Sequence, residues 1–481
     1  MDIDALTTGQ KTFLIAPAGY GKTYTIAASV KHLESTEGKS LVLTHTHAGV
    51  SSLKTKMREM GVSGDQYSIE TISSFCQKYT NAFYRGSKMP AMTDRGYHDF
   101  IVAEACEILR LPAIGQVIQA TYERVFVDEY QDCSARQHEL VIALSAWIMT
   151  HVLGDPLQGI FGAINKSSVN FPDDLISNGF SALPELDTPH RWLKNGHNNA
   201  LGNQLRTIRA SLLSGKSIDL GNVNGAIEVY LEKTANRFNP QKNYWKKIWE
   251  LKDQESVLLL LPEGFKSSST SARVRVAQCF RRQFSVLEAI DDKSFYGIAK
   301  SIDQLLQNFE YDLFKRGVLT ELFGKTSVNE WFTDKKIKNR RGKNEKASAA
   351  LIQCFETMEQ APSPNNIHAF LVALDKGLKL KIFRHELFQS IIKSLDSSSQ
   401  EKTTVFEAMK NHRNNVRRSG RKCIGRFVGT TLLTKGLEFD VVVILDAHLF
   451  ECPKHLYVAM TRACKRLIVF TENKVLLGKT S

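Results

Sequence analysis

Short, unbroken apolar runs bounded by polar residues recur along the chain, and each has the length of a strand buried on both faces. Thr12–Ala16 and Ser40–Thr44 come first, with a helical pattern between them. After a helical interval come Arg124–Asp128 and His151–Gly154, both running out into polar residues. Strand, helix and strand in that order is the grammar of a parallel sheet, whose ligand groups gather beyond the carboxyl ends of the strands. The grammar returns at Ile227–Leu231, Val257–Leu261, Asp440–Leu445 and Arg466–Phe470, so two α/β sheets are predicted. Between Leu261 and Val428 the spacing changes to three and four, as at Ile367, Phe370, Leu371, Leu374 and Leu378, which predicts a helical insertion in the second sheet domain. Inside it, Asn339–Lys346 and Ala361–Asn366 read as loops and Ser397–Gln400 as a polar link.

Composition changes this picture little: 42% apolar and 23% charged residues over 481 positions is the balance of a folded protein of several cores. Met1–Thr12 carries Asp2 and Asp4 and no apolar run, and no stretch reaches transmembrane length, so a cytoplasmic protein without a membrane partner is expected. The eight cysteines form no CxxC pair, which leaves reduced core thiols as the plain reading. Charge is more telling. Of the net +13, residues 331 to 426 supply +11, with 20 Lys and Arg against 9 Asp and Glu. That surplus is either a solvated face or a footprint for a phosphate backbone.

The chemistry begins at Ala16-Pro17-Ala18-Gly19-Tyr20-Gly21-Lys22-Thr23, which follows a strand and opens a helix. In that context small residues let the backbone N–H groups of Ala18, Gly19, Tyr20 and Gly21 wrap phosphates, Lys22 meets the β and γ oxygens, and Thr23 ligates Mg²⁺. Val125-Phe126-Val127-Asp128-Glu129 supplies the complement: Asp128 reaches the Mg²⁺ shell and Glu129 polarises the attacking water. Each element alone has a bland alternative, a glycine turn or a solvated acidic pair. Their co-occurrence makes ATP and Mg²⁺ the expected ligands.

Asp128-Glu129-Tyr130-Gln131-Asp132 also resembles the second acidic motif of the UvrD/Rep branch of superfamily 1 helicases. The resemblance continues in the family's order. Gly154–Phe161 looks like its GDxxQSIY element, which implies that Gln158 senses the γ-phosphate; Thr188-Pro189-His190-Arg191 is similar to the motif whose arginine is the first finger. Lys435–Asp440 matches the KGLEF element, in which Gly436 and Glu438 would lie at the nucleotide and Glu438 at its ribose. Leu456–Ala463 matches the VAxTRA element, making Arg462 the second finger. The fold so implied is α/β, with two RecA-like P-loop domains on parallel sheets and a helical basic insertion in the second. Residues 1–200 would form the first domain, with a small helical insertion near 80–120; 201–300 and 424–481 the second; and 301–423 the insertion. The activity implied is ATP-driven movement on single-stranded DNA, 3′ to 5′, with strand separation.

Departures cluster where the family faces nucleic acid. His45 replaces the aromatic residue of the strand-binding element, Ser73 stands where His is usual after Thr71, and Gly162-Ala163-Ile164 lacks the base-stacking step. Leu432 occupies a common His position, and Gln10 is too close to Ala16 to read adenine in the family manner. Only 52 residues separate Phe75 from Asp128, too few for the relatives' first helical subdomain. His45 and Thr71 remain candidate strand contacts, and Arg413, Arg417, Arg418, Arg421 and Lys422 are the phosphate-contact candidates. Trp331, Phe370 and Phe383 fall on apolar helical stripes and read as core.

Compact size and sequence style also resemble the UvrD-like subunits of the Gabija anti-phage defence system, which implies an OLD-family (Toprim) endonuclease as a partner. Three functions stay open: a DNA translocase and helicase, a nuclease-associated ATPase that unwinds little, and a P-loop protein without a nucleic-acid role.

Overall fold

A computed structural model describes residues 3–33, 38–90, 94, 96–161, 169–193, 198–223, 225–262, 270–280, 283–287, 292–333, 336–342, 345–378, 380, 382, 384–419 and 425–477. Two compact units result, one formed by 1–285 with 418–481 and the other by 286–417.

The first unit holds two six-stranded sheets. The strands of the first are β1 (Lys11–Ile15), β2 (Ser40–Thr44), β3 (Tyr67–Thr71), β4 (Arg124–Val127), β5 (Met149–Gly154) and β6 (Ser181–Ala182). They lie in the order β3-β2-β4-β5-β1-β6 with parallel pairings throughout. The continuous apolar runs are divided by the period of two that a pleated strand imposes. Phe13, Leu41, Leu43, Val125, Val127 and Val152 enter one core, while Leu14, Val42, Phe126 and Leu153 enter the core on the other face. That double burial is why these strands show no alternation of polar and apolar residues. Because β5 lies between β1 and β4, the three polar segments that follow those strands emerge side by side.

After β7 (Ile218–Asp219) come β8 (Glu228–Leu231), β9 (Ser256–Leu261), β10 (Ser285–Val286), β11 (Gly425–Thr430), β12 (Phe439–Ile444), β13 (Ala463–Thr471) and β14 (Val475–Leu476). The second sheet runs β10-β11-β9-β12-β13-β8, with β11, β9, β12, β13 and β8 paired in parallel. β14 folds back antiparallel on β7. The α/β architecture is therefore that of two RecA-like sheets.

The second unit is helical around one apolar core that includes Phe314, Trp331, Phe370, Leu374 and Ile391. Trp331 and Phe370 are thus core residues, as their stripes predict, whereas Phe383 lies outside the described residues. Three loop readings need correction: Asn339–Lys346 gives up Glu345 and Lys346 to the helix Glu345–Gln360. Ser397–Gln400 is inside the helix His385–Glu401, whose serines are small enough to pack and bond back to the backbone, as Ser394 Oγ does to the Ser390 carbonyl at 2.7 Å. Ala361–Asn366 yields its last residues to a helix that starts at Pro364, capped by Ser363. Pro at the first helical position supports that start, since its missing N–H would lack an intrahelical acceptor anyway. Among the described residues no helix is long and apolar enough to cross a membrane.

Candidate nucleotide site

Gly21 closes the loop after β1 and caps the helix Lys22–His32 at φ 93°, and Gly19 sits at φ 78°. A side chain at Gly19 would also collide, since a Cβ there would be 2.9 Å from Arg191 Cβ and 3.0 Å from the Trp192 ring. Glycine is therefore required twice over, by conformation and by space. The loop presents its N–H groups at a helix start, the ordinary place for a phosphate. Ala18 and Tyr20 are buried beneath it, and the Tyr457 hydroxyl is hydrogen-bonded to the Ala18 backbone.

Lys22 projects from the first turn to the ends of the neighbouring strands, with Nζ 2.6 Å from Glu129 Oε1 and 3.8 Å from Asp128 Oδ1. Burial alone would lower the Lys22 pKa, but Glu129 and Asp128 outweigh it and raise it above the usual lysine value. Burial would likewise raise the Glu129 carboxyl, yet Lys22 and then Lys435 hold it below the ordinary carboxylate range. Asp128 is moved the other way by its burial. Glu129 itself is left-handed at φ 57°, with its N–H 2.9 Å from Asp128 Oδ1. A non-glycine residue in that region is held there at some cost, and such residues cluster at working sites.

Gln131 ties this pair to the next strand end. Its amide N–H donates to Glu129 Oε2, while its oxygen accepts from the Asp155 N–H at 2.9 Å. Asp155 in turn accepts from Gln158 Nε2 at 3.0 Å and from Arg209 at 3.1 Å. Gln158 is therefore linked to Glu129 through Asp155 and Gln131, and is itself nearly buried.

The second sheet contributes from the segments that precede β12 and β13. Arg191, whose N–H donates to the Gly19 carbonyl at 2.9 Å, reaches across to Glu438 Oε1 and to the Thr461 carbonyl, both at 2.5 Å. Trp192 Nε1 donates to the Ala463 carbonyl at 2.8 Å. Arg462 is 2% exposed, and its guanidinium donates to the carbonyls of Val458 at 3.0 Å and Leu437 at 3.2 Å. Burial and the neighbouring Arg191 lower its pKa to about 10, against the attraction of Glu438 and Glu129. Two guanidiniums beside one another at a phosphate loop are arranged for an anion.

Lys435 completes the set. Nζ is 2.6 and 2.5 Å from the two Asp132 oxygens, 2.5 Å from the Gln158 carbonyl, and 5.0 Å from the centre of the Phe161 ring. Sequence reasoning gave Lys435, Gln131 and Arg209 no role. A polar residue within the DEYQD run and an arginine beside the apolar stripe Leu201, Leu205, Ile208 and Leu212 were the available signals. The Lys435–Asp132 pair is 9% and 7% exposed, so Lys435→Met should destabilise the chain by about 3–5 kcal/mol by leaving a buried carboxylate alone. Adding Asp132→Asn should recover most of that loss in urea unfolding; equal midpoints for the single and double variants would contradict it.

The metal candidates suit their task. Asp128 is a nearly buried carboxylate at a strand end and Thr23 is the second residue of the helix, with nucleotide oxygens and water left to fill a hard octahedral shell. Among the described residues no group of three or more His, Cys, Asp or Glu could hold a metal alone. Gly436 is exposed at φ 80°, next to the Arg191–Glu438 pair. Gln10 lies before β1, at the far end of a five-residue strand from the loop and therefore about 20 Å from Ala16.

The nucleic-acid candidates fare differently. His45 lies near Lys435, Glu129 and Lys22, with Nε2 3.5 Å from Cys133 Sγ; burial, then Lys435, pushes its pKa down to about 4. Thr71 is 4% exposed and caps the helix Ile72–Phe83 through the Ser74 N–H, so its oxygen is already committed to the fold. Arg413 requires a correction as well. It is 1% exposed in the helical core, with its guanidinium 4.1 Å from the centre of the Phe295 ring and 3.5 Å from Glu386 Oε1, so it does not face a phosphate backbone. The side chains of Arg417 and Arg418, and all of Arg421, Lys422 and Gly162–Ile164, lie outside the described residues.

Residues 3–163 match the family model of an AAA domain. The chain carries a P-loop NTPase domain. Its AAA-type region includes the loop Ala16–Thr23, the acidic run Asp128–Asp132 and Gln158, the three segments that β1, β4 and β5 bring together. No curated protein matches the chain.

Proposed function

We propose that this P-loop NTPase is an ATP-dependent DNA translocase of the UvrD/Rep kind, hydrolysing ATP between its two RecA-like sheets. The observation that carries the reading is the meeting of Lys22, Glu129, Arg191 and Arg462 around one loop, with Arg462 supplied by the second sheet and electrostatically coupled to Glu129. Three cations rest on internal acceptors: Lys22 on Glu129, Lys435 on Asp132, Arg191 on Glu438. An incoming triphosphate competes for these cations. When its β and γ oxygens take Lys22, Glu129 is released to accept a proton from water. Arg191 and Arg462 then meet the charge that grows on the transferring phosphoryl group, and Gln158 lies beside it. Thr23 and Asp128 are the residues that would hold Mg²⁺, which would supply charge neutralisation. Exchange of Arg191 and Lys435 between internal partners and phosphate changes the contacts joining the sheets, and that is a physical route from hydrolysis to movement.

A second reading has its own support. His45 is neutral and drawn into the cleft rather than offered to a strand, and Arg413 is internal. Altered strand contacts favour an ATPase subunit that reports on DNA to a partner, such as an OLD-family nuclease in an anti-phage complex, and unwinds little. Steady-state ATPase should rise severalfold on adding single-stranded DNA. Separation of a 3′-tailed duplex would support the translocase and helicase; stimulation without separation would select the second reading. Hydrolysis indifferent to DNA at low and high salt would refute both.

A further inference from the structure

Away from the nucleotide site, the crossover from β8 to β9 carries an alternation of rings and cations. Its helix, Asn243–Glu250, buries Tyr244 and Ile248, and Tyr244 stacks on Phe470 of β13 at 4.2 Å. On the other side the spacing places Lys242, Trp245, Lys246, Trp249 and Lys252 along one stripe. Trp245 and Trp249 are half-buried and stacked, their centroids 4.8 Å apart and their planes at 11°. Lys252 Nζ lies 5.6 Å from the Trp249 ring.

The stripe continues onto the neighbouring helix, Thr270–Cys279. Trp245 is hydrogen-bonded to Cys279, and the exposed Arg275, one turn earlier, places its guanidinium 4.7 Å from the centre of the half-buried Phe238 ring. Order along the surface is thus Phe238, Arg275, Trp245, Trp249 and Lys252. Sequence adds charge of one sign: Lys233–Trp249 contains five Lys and Arg and no Asp or Glu. Of these, Arg237 is internal against Asp446 and Lys247 is 3.1 Å from Glu250, which leaves Lys233, Lys242 and Lys246 at the surface.

An ordinary packed edge would surround half-exposed tryptophans with aliphatic groups. Here Lys252 lies over Trp249, and Lys242 and Lys246 are exposed on the same stripe. We propose that this stripe is a binding surface for single-stranded nucleic acid, with bases against the rings and phosphates at Lys242, Lys246, Lys252 and Arg275. Rings accept any base because every base has a flat π face, and cations spaced between them follow the backbone without reading sequence. An acidic protein surface would use the cations but does not offer a flat group beside each negative charge in regular succession, as a polynucleotide does, so nucleic acid is the better fit. The proposal rests on the DNA-coupled reading above and gives it a contact surface that neither Thr71 nor Arg413 provides.

Fluorescence anisotropy of a labelled oligothymidylate with the full chain, titrated at several salt concentrations, tests it. Trp249→Ala should weaken binding roughly 5- to 150-fold, the effect of losing one stacked base, while Trp249→Phe should keep most of the affinity. Lys252→Glu with Arg275→Glu should lower the salt slope by about 0.7 for each cation removed. All three should leave ATPase without DNA at the parent rate, since none of these residues touches the nucleotide site. Equal affinities and slopes for parent and variants would overturn the stripe alone, the DNA-coupled reading surviving with its contacts elsewhere. A parent chain that fails to bind the oligonucleotide would overturn both.

Discussion

Glu129→Gln should fold, take up nucleotide and turn it over about 10² to 10⁴ times more slowly than the parent. Gln has the shape of Glu and can still accept the hydrogen bond that Gln131 donates; what it loses is the negative charge and the capacity to take a proton. Glu129 now neutralises Lys22 at 2.6 Å, so it competes with phosphate for that lysine. Deleting its charge removes the competitor, and nucleotide affinity should stay equal or rise. Lys22→Ala should give the opposite pairing, with binding and turnover lost together, because the cation that meets the β and γ oxygens is gone. Glu129→Gln keeps its shape and should not unfold the chain, whereas Lys22 is 9% exposed, so Lys22→Ala leaves Glu129 and Asp128 without their counter-charge and should cost about 3–5 kcal/mol, read by urea unfolding beside the binding measurement. Steady-state ATPase beside equilibrium binding of a fluorescent nucleotide separates the two signatures. Turnover by Glu129→Gln within tenfold of the parent would remove Glu129 from the role of base.

The sheets were legible because a strand buried on both faces has to be an apolar run, and few other elements of that length are. The phosphate loop was legible for a similar reason: φ values of 78° and 93° leave little choice but glycine at positions 19 and 21. What the chain concealed is pairing. Lys435 and Asp132 are 303 positions apart, and nothing local to either marks the other as its counter-charge. Arg413 shows the converse error, since a basic stretch invites a solvent-facing reading, yet an arginine can lie against an aromatic ring in a core if a carboxylate such as Glu386 is near. His45 was read through the position it occupies in the resemblance. Its surroundings are set by Lys435 and Cys133, which approach from elsewhere in the chain. Ser397–Gln400 reads as a link because polar runs usually are, but Ser398 continues the helical spacing of four from Ser390 and Ser394, and all three are buried.

Arg462→Lys is the more demanding test, with an expected loss of about 10³ to 10⁵ in turnover and little change in nucleotide affinity. The guanidinium is held by two carbonyls of its own sheet and sits beside Arg191, so its position is fixed before nucleotide arrives. A fixed cation needs little reorganisation when charge develops on the phosphoryl group, which is why it acts on the transition state more than on the bound substrate. Lysine keeps the charge but not the planar fork, so it cannot hold both carbonyls and still face the phosphate. An equal loss of affinity and turnover would mean that Arg462 only binds. Arg191→Lys should behave similarly but should also loosen the sheets, because the Arg191 guanidinium ties the segment bonded to Gly19 to Glu438 and to the Thr461 carbonyl. If Arg462→Lys hydrolysed ATP at the parent rate, the second sheet would have no part in the chemistry, and hydrolysis could not be what moves one sheet against the other.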